Sequence, residues 1–351
     1  MNIDMAKMEP LLGKMVNDLG PMMGGALVLI GDQLGFYKEL AATGPLTAAE
    51  LAQNTGTAER LVQEWLHAQV AAGYIESGEE NERFSIPPEQ RAIFVDEDSP
   101  FYMMAAFEFM PIAYQDREKV IDAFQSGGGV GWGDHSEGCD CATAKFFKPT
   151  YTAHLLQDWL PALDGVQQKL EEGCTLADVG CGHGISTMLM AEAFSKSTFT
   201  GIDYHAPSLE HARHAVQEAR LNNVHFITAA SKEYEGQYDV VGLFDCYHDM
   251  GDPVGVARHI RASLKEGGTC FLIEPYANDT LTENLTPVGR LYYAASTMFC
   301  VPCAMSQNGS GIALGAQAGE KRLGECFTEA GFSRFQRMTE TPFNIVYQAT
   351  P

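Results

Sequence analysis

From Cys174 onward, short β-rich apolar runs alternate with stretches of helical spacing. CTLADVG, STFTGID, VHFITA, YDVVGLF and TCFLIEP read as strands, and MLMAEAF and SLEHARHAVQEARL are helical patterns between them. That alternation predicts a parallel, doubly wound sheet. Near the end, FSRFQRMTE and FNIVYQAT are separated by a few residues including Pro342, which predicts an antiparallel hairpin on the sheet edge.

The first half is patterned differently. LTAAELAQNTG offers Thr47 as an N-cap with Glu50 three positions on, a capping box, and its helix stops at the Asn54–Gly56 turn. A second helix, Thr57 to Ala72, carries Leu61, Trp65, Leu66 and Val70 at helical spacing and ends at Gly73. YIESGEENERFSI then reads as two short strands around a polar tip. Helix, turn, helix and hairpin make a winged-helix pattern. Ahead of it, GPMMGGALVLIGDQLGFYKELA predicts an apolar helix followed by a Gly-interrupted one, suited to packing against a partner subunit. From Phe101 to Leu163 the pattern is helical, broken by the glycine-rich stretch Ser126–Cys141, expected to be a mobile lid or slack. The domains expected are 1–100, helical and winged-helix; 101–163, a pocket-covering linker; and 164–351, the alternating domain, with an insertion at about 277–315.

Charge narrows the partners. The chain has 351 residues with 23 Lys+Arg against 46 Asp+Glu, a formal net charge of −23, so it repels phosphate backbones and anionic lipid. The winged-helix surface agrees: its second helix offers Glu59, Arg60, Gln63, Glu64 and His67, and its wing tip Glu79, Glu80 and Glu82. A nucleic-acid partner is therefore not expected, and a dimerising role is. No apolar run approaches the ~20 residues of a membrane span, and MNIDMAKMEP lacks the order of a signal peptide, so the expected setting is cytoplasmic, away from membranes. Nine cysteines, an odd number, then read as mostly free thiols.

The densest chemical signal is LADVGCGHGIST, where Gly180, Gly182 and Gly184 follow the first strand of the alternating domain. A dinucleotide site needs G-x-G-x-x-G, whose third glycine would fall at Ile185, and a P-loop needs a Lys-Ser/Thr that is missing. The pattern is instead D-x-G-x-G-x-G from Asp178. With its strand-loop-helix setting it resembles the first motif of class I S-adenosylmethionine-dependent methyltransferases. The resemblance spans roughly Leu160 to the C-terminus and implies a Rossmann-like seven-stranded α/β domain, here preceded by a mostly α winged-helix domain. It also implies S-adenosyl-L-methionine as cofactor, with Asp178, the three glycines, Asp203, Tyr204, Ala230, Ser231, Phe244 and Asp245 around it. Asp203 ends the next strand, 19 positions after Gly184, where the family places an acid that accepts both ribose hydroxyls; two charge-assisted hydrogen bonds suit a carboxylate there.

The fourth strand ends in DCYHDMGDP. This resembles the His-Asp-Trp-x-Asp stretch of small-molecule O-methyltransferases that carry an N-terminal winged-helix dimerisation domain, in which the histidine is the general base. The matching residue is His248, with Asp245 beside it in the catalytic set; an ordinary histidine pKa near 6.5 suits accepting a hydroxyl proton. Met250 replaces the usual tryptophan, and no acidic partner for His248 is identifiable in the sequence. GCGHG and the ending AGFSRFQRMTETPFNIVYQA look closer to the Rv2258c-like winged-helix methyltransferases, so a small-molecule substrate is expected but its identity does not carry over. Cys246, Tyr247, His248, Cys300 and Cys303 are the expected acceptor pocket. Cys246 and the CxxC of MFCVPCAM raise a second possibility, a thiol or sulfide acceptor. A lone CxxC predicts no metal. A third possibility is a regulator that senses S-adenosylmethionine without catalysis. The chain is expected to be a homodimer.

Overall fold

A computed structural model describes residues 3–80, 82–307 and 311–351. The chain divides into two compact units, residues 1–111 and 112–351. The division falls within the helix Met104–Gln115, so the 101–163 segment expected as a separate linker is shared between the two units.

The first unit opens with α1, Met5–Gln33, capped by the Asp4 side chain accepting from the Ala6 amide at 3.0 Å. Its glycines and two prolines do not interrupt it; the break comes at Leu34–Gly35, where Gly35 takes φ 71°, and α2, Phe36–Thr43, follows. Gly31 serves close packing, because a Cβ there would lie 2.3 Å from the Trp65 ring. The Trp65 indole in turn donates to the Leu27 carbonyl at 2.8 Å. In α3, Ala48–Thr55, the Thr47–Glu50 capping box forms, and Gly56 closes the helix in the left-handed region. The next helix, α4, Glu59–Ala72, buries Val62, Trp65, Leu66 and Gln69. Leu61, expected inside, is 73% exposed whereas Val62 is 1% exposed, because the buried arc of Val62, Trp65, Leu66 and Gln69 centres near Val62 and Gln69, and Leu61 lies to one side of it. Two-residue strands β1, Glu76–Ser77, and β2, Phe84–Ser85, form the antiparallel wing.

The second unit holds the sheet. Its strands are β3 Thr175–Val179, β4 Thr198–Asp203, β5 Val224–Thr228, β6 Tyr238–Phe244, β7 Leu264–Pro275, β8 Arg334–Glu340 and β9 Asn344–Thr350. They lie in the order β5-β4-β3-β6-β7-β9-β8, with β3 to β7 parallel and β9 antiparallel to both neighbours. Successive residues feed opposite faces: Leu176, Val240 and Phe271 join one apolar layer, and Ala177, Val241 and Leu272 the other. Both faces are buried, which is why the strands read as continuous apolar runs. The order reverses at β3, so the loops after β3 and β6 flank a crevice at the carboxyl ends of the strands, where open α/β sheets bind ligands.

The insertion after β7 folds as helices, Pro287–Ala295 and Val301–Ser306, joined by a wider turn at Ser296–Cys300. The glycine-rich stretch Ser126–Cys141 is anchored at both ends. The Val130 amide donates to the Pro302 carbonyl at 3.0 Å, and Gly129 is pressed so close that a Cβ would meet that oxygen at 2.2 Å. Beyond it, buried Asp116 lies 2.8 Å from His135 Nδ1 and accepts from the Ser136 hydroxyl at 2.6 Å. Among the described residues no single helix is long and apolar enough to cross a membrane.

Candidate active site

The crevice contains a cavity whose floor is the glycine loop. Gly180, Gly182 and Gly184 take φ values of 78°, 52° and 72°, a region L-residues with side chains enter at a cost. The chain can therefore turn sharply off β3, and the Gly180 and Cys181 amides both donate to the Ile202 carbonyl of β4, at 2.7 and 3.1 Å. The three positions differ in purpose. A Cβ at Gly180 would strike the Cys246 sulfur at 2.7 Å, and one at Gly184 the Phe226 ring at 2.8 Å. At Gly182 nothing lies within 4 Å, so its backbone faces open cavity.

Asp203 lies across from it. Its Oδ2 accepts from the Gly182 amide at 2.9 Å and its Oδ1 from the His205 amide at 2.8 Å. Burial raises its pKa, opposed by these amide bonds. Tyr204, Ser231, Phe244 and Asp245 also line the cavity. Asp178 does not: its Oδ2 accepts from the Ser186 and Thr187 hydroxyls at 2.7 and 2.6 Å, pinning the first turn of the helix Ile185–Ala193 behind the loop. Burial pushes this carboxyl up to about 6. Gly184 also stands behind the wall, and Ala230 gives way to Ala229 as the residue facing the space. These three residues support or flank the cavity because the strand and loop phases turn them away from it.

Asp245, which follows β6, combines φ 48° with burial. A strained backbone of this kind persists where neighbours over-determine it. The Tyr151 hydroxyl donates to Oδ2 at 2.9 Å, and the Asn344 amide to Oδ1 at 2.8 Å. Burial, with Glu274 adding to it, raises this carboxyl to about 8. Neither Tyr151 nor Asn344 was visible as a site residue in sequence, since both come from segments more than 90 positions away.

His248 sits in the turn Tyr247–Asp249 and is buried. Its Nδ1 lies 2.6 Å from Glu274 Oε2, while Glu274 Oε1 accepts from the Tyr247 amide at 3.1 Å. Glu274, next to last in β7, is the acidic partner that the sequence did not disclose. His248 Nε2 lies 3.2 Å from Asp249 Oδ1. Burial alone would lower the histidine's pKa, but Asp249 and Glu274 outweigh it and hold it well above the usual value. Asp249 lines the cavity whereas His248 stands one residue behind it.

The rest of the expected acceptor pocket divides. Cys246 and Cys303 face the cavity. Tyr247 does not: its ring lies in the core, and its hydroxyl donates to the Pro253 carbonyl at 2.8 Å. Cys300 stands behind the wall, with its sulfur within 4.8 Å of His248 and Asp249 ligand atoms. Burial raises the thiols of Cys300 and Cys303 to about 11 and about 12, so neither is a ready thiolate.

Residues 170–331 match the family model of a methyltransferase domain, and residues 24–95 that of the Rv2258c-like winged helix-turn-helix domain. The chain thus joins a winged helix-turn-helix domain of the Rv2258c-like kind to a methyltransferase domain. A ubiquinone biosynthesis O-methyltransferase of Bordetella avium is 33% identical over 129 residues, 36% of this chain and 51% of that protein. The chain thus spans about half the length of the curated relatives it matches. Two solved structures share the whole fold. Human N-acetylserotonin methyltransferase in complex with SAM is 17% identical, with a TM-score of 0.72 over 99% of this chain and 98% of its own. An O-methyltransferase family protein from Burkholderia thailandensis is 15% identical, with a TM-score of 0.69 over 100% and 98%.

Proposed function

We propose that this protein transfers a methyl group from S-adenosyl-L-methionine to an oxygen of a small-molecule acceptor, with His248 as general base. The observation that carries the proposal is one cavity bounded by the open backbone at Gly182, the Asp203 carboxylate and Asp249, with the His248–Glu274 pair directly behind Asp249. The residues fit the cofactor: Gly182 leaves room for close approach, Asp203 has carboxylate lone pairs for two hydroxyls, and Tyr204 and Ser231 add polar edges. When bound, S-adenosyl-L-methionine supplies an electrophilic methyl on a sulfonium, whose departure leaves a neutral thioether.

The chain's own contribution is alignment and one proton. Glu274 fixes the imidazole through Nδ1, leaving Nε2 to take the acceptor's hydroxyl proton as the oxygen–carbon bond forms. Because both carboxylates favour the imidazolium, Nε2 is free to accept only as pH rises through the raised pKa, and turnover should climb with it. Asp249, between His248 and the cavity, has to move aside or bind the acceptor for this transfer. The apolar residues along the first helix, among them Leu12, Val16, Leu19 and Met23, are exposed, which supports a homodimer that covers them.

The test is a screen with labelled methyl donor over phenols, carboxylates, thiols and sulfide, run in parallel on His248→Ala. Transfer to a hydroxyl acceptor that is lost in the variant is the expected result. Transfer only to thiols, unaffected by the variant, overturns the oxygen assignment.

A further inference from the structure

A second group of potential ligands gathers at the cavity's rim, apart from His248. The helix Cys139–His154 places Asp140 and Cys141 in its first turn, the glycine loop supplies His183, and the helix Ala206–Ala219 brings His211 opposite them. One ligand atom from each of these four residues lies within 4.8 Å of the other three. Asp140 Oδ2 and His183 Nε2 are 3.3 Å apart, and the His183 and His211 rings stack with centroids 4.6 Å apart and planes 14° from parallel. Stacked imidazoles tolerate one another while uncharged.

Two imidazoles, a thiol and a carboxylate form a mixed nitrogen, sulfur and oxygen donor set. Magnesium and calcium prefer all-oxygen shells, whereas zinc takes four such ligands tetrahedrally. His211 is exposed and can turn its ring out of the stack to point a lone pair inward. We propose that Asp140, Cys141, His183 and His211 form a binding site for a divalent cation of the zinc class. The ion ties together three segments that are separate in sequence and meet around the cavity mouth. Asp140 and His183 also line the cavity, so the site adjoins the proposed cofactor space, but none of its four residues is His248 or Glu274.

The test is zinc titration of the full chain, reduced with a phosphine, in competition with a chromophoric chelator, repeated with cobalt(II) to record the visible spectrum. One zinc should bind per chain, undisturbed by excess magnesium, and cobalt should give tetrahedral bands with a thiolate charge-transfer band. His211→Ala and Cys141→Ser should each weaken zinc binding at least about tenfold, and Cys141→Ser should erase the charge-transfer band. His211 lies on the surface, so its truncation leaves the core intact, with circular dichroism as the check. Zinc held equally by wild type and both variants, a cobalt spectrum lacking the thiolate band, or no zinc uptake would each overturn the proposal.

Discussion

The loops after β3 and β6 leave adjacent parallel strands and border the same cavity, yet they are built on different principles. The first is made of backbone: three left-handed glycines and amides aimed at Ile202 and Asp203. The second is made of side chains held by distant partners, Asp245 by Tyr151 and Asn344, His248 by Glu274. A backbone site demands particular residue types at fixed spacing, whereas a side-chain site demands only that its partners arrive from elsewhere. The first should therefore fail in binding when altered, and the second in turnover.

The largest effect is expected at Gly182. Valine there would have to hold φ 52° and push a branched side chain into the cavity, so calorimetry with S-adenosyl-L-methionine should show binding abolished. Unchanged affinity would mean the loop is not the binding floor. On the other side, His248→Ala should lower turnover of an oxygen acceptor by about 10²–10⁴-fold while leaving cofactor affinity near wild type. The pH profile sharpens this. In the wild type kcat/KM should rise with pH through a pKa above the usual histidine value, and Asp249→Asn, by removing a carboxylate that holds the proton, should move that limb to lower pH. A limb that stays in place would remove His248 as the titrating group.

Smaller again is Asp203→Ala. Each charged hydrogen bond lost, about 1.5–3 kcal/mol, should weaken cofactor binding by roughly ten- to a hundredfold, and loss of the Gly182 amide's acceptor should loosen the loop as well. If turnover fell while affinity held, the proposed division between the two loops would be wrong. The smallest effect concerns stability. The Asp178 carboxyl rises from 3.8 to about 6 on folding, so the folded chain holds its proton to higher pH than the unfolded one. Its burial thus costs stability above about pH 6, and this is regained as pH falls toward 3.8. Urea midpoints of Asp178→Asn should lack that part of the wild-type gain on acidification.

By itself, the sequence determined what is local. Strand and helix alternation predicted the parallel sheet, the closing pair of runs its edge hairpin, the Thr47–Glu50 capping box marked a helix start, and the glycine spacing located the cavity floor, because each is a rule about near neighbours. It misjudged residues whose placement depends on rotation or on distant contacts. Leu61 fits the helical spacing but lies to one side of the arc that buries Val62, Leu66 and Gln69, and Tyr247 follows the strand but faces the core. Only the tertiary structure supplied Glu274 for His248 and Tyr151 with Asn344 for Asp245. Those partners are brought together by sheet order and helix docking, and no spacing along the chain records which side chains a fold will set 3 Å apart.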